Sequence, residues 1–121
     1  MRMMLIGAMV GALLFAVPAS ASAAKRFAGC VAESRGCTHQ FNGGSLPVLK
    51  FKDRRRDFTP YRLCVRDPVH RVCARRTTGR AGKWHRGATW NIGAVGKHVA
   101  TWFVNGERVA RWRFRVSPEG D

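Results

Sequence analysis

After residue 24 the chain holds no convincing 3.6-residue apolar period, and its last third is written in period two. Ala110, Trp112, Phe114 and Val116 alternate with Arg111, Arg113 and Arg115. Successive strand side chains point to opposite faces, so this pattern makes a half-buried strand with one apolar and one basic face. Asn105-Gly106 stands before it, and the largely apolar run Lys97–Val104 stands before that. Asn-Gly between apolar runs is the strongest short-range hairpin signal, because both residues accept the positive φ of a tight primed turn. The register of strand 97–104 stays open. A plain two-residue turn sets Val99, Thr101 and Phe103 beside the apolar face. A bulge at Gly106 instead turns that strand over and buries Trp102.

The middle of the chain is short runs punctuated by Gly, Asn and Pro, which is an all-β pattern. Leu46–Lys52 reads as a strand with Pro47 at its start or on an edge. Lys52–Asp57 is a charged loop holding Arg54, Arg55 and Arg56. Tyr61–Arg66 and Arg71–Arg75 read as two strands joined by Asp67-Pro68-Val69-His70, with Asp and Pro at the positions a turn prefers. Thr77–Gly82 is a loop, and Trp84–Ile92 holds another strand. Five or six strands ending in a long hairpin predict a sandwich.

The amino terminus has the form of an export signal. Arg2 precedes an uncharged run, Met3–Val17, too short to span a bilayer comfortably. Pro18 and a string of Ala and Ser follow, with two A-x-A frames ending at Ala21 and Ala23. Residues 1–24 are therefore expected to be a cleaved signal peptide, placing the protein in the cell envelope or outside the cell. The rivals are an uncleaved anchor and a lipid-modified Cys30 after Phe27-Ala28-Gly29. Lys25 and Arg26, lying between the apolar run and that tripeptide, argue against the lipid. Mass spectrometry of the exported protein is expected to find residues 1 to about 24 removed. The remaining chain is one small domain with a thin hydrophobic margin, since domains of this size bury only ~60–70% of their unfolded surface.

Four cysteines, Cys30, Cys37, Cys64 and Cys73, all lie beyond the leader. An even count in an oxidising compartment reads as two disulfides, with three possible connectivities. Zinc ligand pairs lie two to four residues apart, and no such pair occurs here; nor does C-x-x-C. Folding residues 61–75 about Pro68-Val69 sets Cys64 opposite Cys73, at a separation a bridge nearly spans. That leaves Cys30 with Cys37, around a turn suited to Ser34 and Gly36.

Tyr61–Pro68 with Cys73, Gly96 before an alternating strand, Asn105-Gly106, and Trp112-Arg113-Phe114-Arg115-Val116 together resemble small exported bacterial immunoglobulin-like domains, a group without an assigned activity. The resemblance spans about residues 46–116. It implies an all-β, immunoglobulin-like antiparallel sandwich at 46–121, preceded by a disulfide-looped segment at 25–45. It implies no activity, cofactor or catalytic residue. His98 departs from it, standing where an aromatic such as Tyr is usual. The buried Trp near the first bridge of antibody domains is also missing, so the implication is the sandwich and not that family.

Four histidines, at 39, 70, 85 and 98, show no metal-ligand spacing. The acids Glu33, Asp53, Asp57, Asp67, Glu107, Glu119 and Asp121 each fall in an expected loop or turn, and Asp67 reads as a turn former. No nucleophile elbow and no phosphate-cradling loop occurs. The expectation is no enzyme, no metal and no cofactor.

Charge is the remaining signal. Lys and Arg number 22 against 7 acids, a formal +15, and removing the leader takes away only Arg2. Arg outnumbers Lys 17 to 5, and the guanidinium suits bidentate contacts to phosphate or carboxylate. Arg111, Arg113 and Arg115 form a stripe, and Arg54, Arg55 and Arg56 a loop cluster; both are candidate anion contacts. The plain alternative is a solvated basic surface reflecting base composition. Trp84, Trp90 and Trp112 read as core, with stacking on a ligand as the alternative. The chain is thus read as an exported, non-enzymatic immunoglobulin-like module, structural or binding. The alternatives are a cationic binder of an acidic envelope polymer or nucleic acid, and a small hydrolase or membrane-active protein. Any partner is expected to be an anionic polymer or another envelope protein.

Overall fold

A computed structural model describes residues 26–34, 36–90 and 94–118. The expected signal peptide, 1–24, lies outside the described residues, as do Glu119 and Asp121. Nine strands are described: β1 (Phe27–Glu33), β2 (Gly36–Cys37), β3 (Gln40–Asn42), β4 (Val48–Asp53), β5 (Pro60–Arg66), β6 (Arg71–Thr77), β7 (His85–Thr89), β8 (Gly96–Val104) and β9 (Glu107–Ser117). They form a four-stranded sheet, β2-β1-β4-β7, and a five-stranded sheet, β3-β9-β8-β5-β6. The fold is all-β, a two-sheet sandwich as the alternation implied. One strand pair departs from the antiparallel expectation: β3 runs parallel to β9, with Phe41 beside Val116.

Of the segment 25–45, expected to precede the sandwich, the described residues are part of it. β1 is an inner strand of the four-stranded sheet, and Phe27, Val31 and Phe41 are core residues. The sequence concealed this because β1, FAGCVAE, does not alternate cleanly and its core-facing phase includes Gly29, which has no side chain.

The terminal hairpin turns at Asn105 and Gly106, with φ of 53° and 78°, as a type I′ turn requires. Val104 opposes Glu107 and Phe103 opposes Arg108, as a plain two-residue turn dictates; Trp102 then opposes Ala110. Val109 is therefore an extra residue. The bulge left open by the sequence exists, three residues beyond Gly106, and it turns β8 over. His98, Ala100 and Trp102 face the core, at 1%, 0% and 0% exposure. Val99, Thr101 and Phe103 face outward with Arg113, Arg111 and Arg108.

The core is an aromatic stack between the sheets. Phe51 lies 5.7 Å from Phe27, 4.6 Å from Tyr61 and 6.3 Å from Trp102, centroid to centroid. Phe41 meets Phe114 edge-on at 5.3 Å, and His98 stacks on Phe114 at 4.9 Å, taking the place of an aromatic. Trp102 fits because Gly29 opposes it on β1. A Cβ there would come within 2.6 Å of the indole, so any side chain would displace the largest core residue. Of the tryptophans read as core, Trp90 and Trp112 pack against its edge. Trp84 does not, being 39% exposed.

Candidate functional site

The outer face of the five-stranded sheet follows from register alone. On β9 it carries Arg111, Arg113 and Arg115, each directly opposite a residue of β8: Thr101, Val99 and Lys97. The next strand, β5, sets Cys64 beside Thr101, Arg66 beside Val99 and Arg62 beside Phe103. Edge strand β6 adds Cys73 opposite Cys64, Arg71 opposite Arg66 and Arg75 opposite Arg62. With Arg108 opposite Phe103, the face holds nine cations: Arg62, Arg66, Arg71, Arg75, Lys97, Arg108, Arg111, Arg113 and Arg115. Neighbouring strands lie ~4.8 Å apart and same-face residues along a strand ~6.5–7 Å, so each charge has others within a ~8–10 Å screening length.

No acid among the described residues shares this face. Glu107 opposes Val104, one step out of phase with Arg108. Asp67 is buried in the turn after β5, where its Oδ1 accepts the N–H groups of Val69 and His70 at 2.7 and 2.6 Å. The His70 amide above all holds that carboxyl below the usual range, and Asp67 is thereby the turn former the sequence indicated. Glu33 accepts from the Ser45 hydroxyl at the far end of β1. Asp57 accepts the Ala81 amide N–H across a loop, at 2.7 Å.

The centre of the face is concave, with uncharged side chains at its floor and arginines around it. A depression of about 430 Å³ is lined by Cys64, Val99, Thr101 and Phe103, ringed by Arg66, Arg71, Arg108 and Arg111. A second, of about 500 Å³, shares Phe103 and adds Arg62, Arg75, Arg76 and Tyr61. The Arg62 guanidinium lies 4.9 Å over the Phe103 ring. Arg71 reaches the Cys64 sulfur at 3.6 Å. Cys64 is bonded to Cys73, and Cys30 to Cys37. The first bridge therefore pins the edge strand under the depression, which keeps Arg71 and Arg75 in line with Arg66 and Arg62.

The sequence-predicted residues divide. Arg111, Arg113 and Arg115 are exposed together on this face, as alternation requires. Arg54, Arg55 and Arg56 are exposed on the loop joining β4 to β5 and belong to neither sheet's face. Six cations of the face, Arg62, Arg66, Arg71, Arg75, Lys97 and Arg108, were not assigned to it. Two of them, Arg62 and Arg66, were visible as the basic phase of Tyr61–Arg66, but joining them to Arg111 needs the β5–β8 pairing, which no local pattern states.

A different corner treats charge in the opposite way. Asp53 ends β4, is 1% exposed, and accepts from Arg26 at 2.9 and 2.8 Å, from the Thr59 hydroxyl at 2.6 Å and from the Arg55 amide at 2.9 Å. Burial alone would push this carboxyl up. The bonds from Arg26, Thr59 and Arg55 outweigh it and hold the pKa at about 2. Nearby, burial pushes the Tyr61 hydroxyl up to about 12; it forms a 2.8 Å hydrogen bond with His85 Nδ1. His39 stacks on Trp112 at 4.0 Å, and Trp112 Nε1 donates to the Thr38 carbonyl at 2.8 Å. Among the described residues no three of His, Cys, Asp and Glu converge as a metal site.

No family model and no curated protein matches the chain. Among solved structures it is similar to an immunoglobulin-like protein from Pseudomonas aeruginosa, with 14% sequence identity and a TM-score of 0.47, over 75% of this chain and 91% of that one. The two sheets themselves stand as an all-β, immunoglobulin-like sandwich. Two disulfides in so small a domain are consistent with an exported protein.

Proposed function

We propose that the protein is a non-enzymatic binding module of the cell envelope or extracellular space that docks an acidic polysaccharide on its five-stranded face. One observation carries this reading: nine cations share a concave sheet face with no described carboxylate among them. Like charges this close repel, at a cost that water and salt largely screen. An incoming polyanion relieves that cost and releases its own counterions, so association is favoured and salt-sensitive.

A carbohydrate is favoured over nucleic acid for two reasons. The leader and the disulfides fit an exported protein. The face's aromatic ring, Phe103, is already covered by Arg62, so it gives no open platform for base stacking of the kind single-strand binders use. The short uncharged side chains of Val99 and Thr101 leave room for a sugar ring, with guanidinium groups on either side for carboxylate or sulfate.

The test compares heparin, as an acidic polysaccharide probe, with duplex DNA at equal salt. Arg66→Gln/Arg71→Gln/Arg111→Gln is expected to weaken heparin binding at least tenfold, while Arg54→Gln/Arg55→Gln/Arg56→Gln, matched in charge, weakens it less. Equal loss in both variants would mean that net charge, not the face, governs binding. Tighter binding of DNA would reassign the polymer to nucleic acid.

A further inference from the structure

We infer that the four-stranded sheet carries a second, smaller polyanion-docking face, so that one domain bridges two chains of the acidic polymer. The inference rests on the polysaccharide reading of the five-stranded face. Its own observations lie on the opposite side of the sandwich. On β4, Leu49, Phe51 and Asp53 are buried, so Lys50 and Lys52 project outward. Lys50 lies directly opposite Arg86 of β7. Trp84, one residue before β7, is exposed beside the lysines: Lys52 Nζ lies 4.5 Å and Lys50 Nζ 5.5 Å from its ring centroid. An exposed cation–π contact is worth only ~0.5–1 kcal/mol. Placing two ammonium groups over one indole also sets them against each other, and an anion between them removes that repulsion.

No described acid shares this face either. Asp53 opposes Phe27 and Gly29 opposes Phe51; both pairs belong to the inward phase, and Glu33, in phase with Gly29 on β1, follows it. The neighbours of Lys50 and Lys52 on β1 are Cys30 and Ala28, which are short and leave the charged groups open. The result is a cluster of three cations, two of them over one indole. An indole beside cations suits the apolar face of a charged sugar.

Geometry makes the two faces separate sites. Packed sheets lie ~10 Å apart, and outward side chains add several ångströms on each side. The two charged surfaces therefore face opposite directions about 20 Å apart, too far for one extended strand to touch both without looping over an edge. Two strands, held back to back, satisfy both. The larger face takes the first and the three-cation face the second, more weakly.

A two-step capture experiment reads this directly. Heparin is anchored on a surface, loaded with the full mature protein and washed, and short fluorescent heparin is then added. Wild type is expected to retain the soluble chain. Lys50→Gln/Lys52→Gln/Arg86→Gln is expected to load onto the anchored heparin within about threefold of wild type, yet to retain at least tenfold less soluble chain. The charge-matched Arg54→Gln/Arg55→Gln/Arg56→Gln variant is expected to retain it. Equal retention by the two triple variants, or no retention by loaded wild type, overturns the bridge and leaves the first face standing. Failure of wild type to load at all overturns both readings. Thermal melting of each variant, expected within a few degrees of wild type because every altered side chain is at the surface, separates loss of retention from loss of fold.

Discussion

The Asp53 corner and the five-stranded face use the same residue type to opposite ends. At the corner, Arg26 is tied to a buried carboxylate that also accepts from Thr59 and the Arg55 amide. The charge is consumed by the fold, locking the start of β1 to the end of β4. On the face, nine cations stand in cross-strand ranks with no described acid in phase. There the fold supports the charges, and they return only weak contacts, Arg62 over the Phe103 ring and Arg71 at the Cys64 sulfur. A formal charge of +15 does not distinguish the two, because composition counts arginines and only register sorts them.

Breaking the corner has the largest expected effect on stability. Asp53→Asn leaves Arg26 without its partner and removes an acceptor for several donors. Losing one member of such a buried set costs about 3 kcal/mol, read as a lower urea midpoint with unchanged slope. Removing the bridge beneath the face is next. Cys64→Ser/Cys73→Ser is expected to cost about 2–3 kcal/mol, as a short disulfide loop predicts. It should also weaken heparin binding by freeing the edge strand. Non-reducing peptide mapping of wild type should show Cys64–Cys73 and Cys30–Cys37; a Cys30–Cys64 peptide would refute the β5–β6 pairing.

Acid probes the corner without mutation. The Asp53 carboxyl has a pKa of about 2 in the fold and ~3.9 when unfolded. Its pKa is depressed by folding, so its stabilisation is complete above pH ~4 and is lost as pH falls through about 2. Wild type should lose about 2 kcal/mol over that window, and Asp53→Asn should show a smaller loss. The smallest effect belongs to the face. Arg66→Gln/Arg71→Gln/Arg111→Gln should change stability by less than about 0.5 kcal/mol, and at low salt in the stabilising direction, since exposed like charges contribute only weak repulsion.

What the sequence disclosed follows the range of the forces involved. The Asn105-Gly106 turn, the Asp67-Pro68 turn and the Arg111/Arg113/Arg115 alternation are local, and each was legible from neighbouring residues. The Cys64–Cys73 pairing was legible for the same reason, being the consequence of one turn. The placement of β1 was not, because its partner is β4 and its key residue is Gly29, whose missing side chain admits Trp102. An absent Cβ leaves no pattern to read. The bulge was legible as an option only; its position at Val109 is selected by burying Trp102, a tertiary gain. The parallel β3–β9 pair joins a three-residue strand to one some 75 residues later, beyond any local signal. The site followed the same rule: one strand of the face was found, and the ranks across β8, β5 and β6 had to wait for the sheet.

The claim that the face is a docking surface is tested most directly by the salt dependence of heparin affinity, measured from about 50 to 200 mM salt. Each lost cation–anion contact should reduce the slope of log affinity against log salt by roughly 0.7–0.9. Arg66→Gln/Arg71→Gln/Arg111→Gln is expected to lower the slope by about 2–3, while Arg54→Gln/Arg55→Gln/Arg56→Gln changes it by less than about 1. An unchanged slope in the face variant, with affinity intact, would mean that these arginines are only a solvated surface.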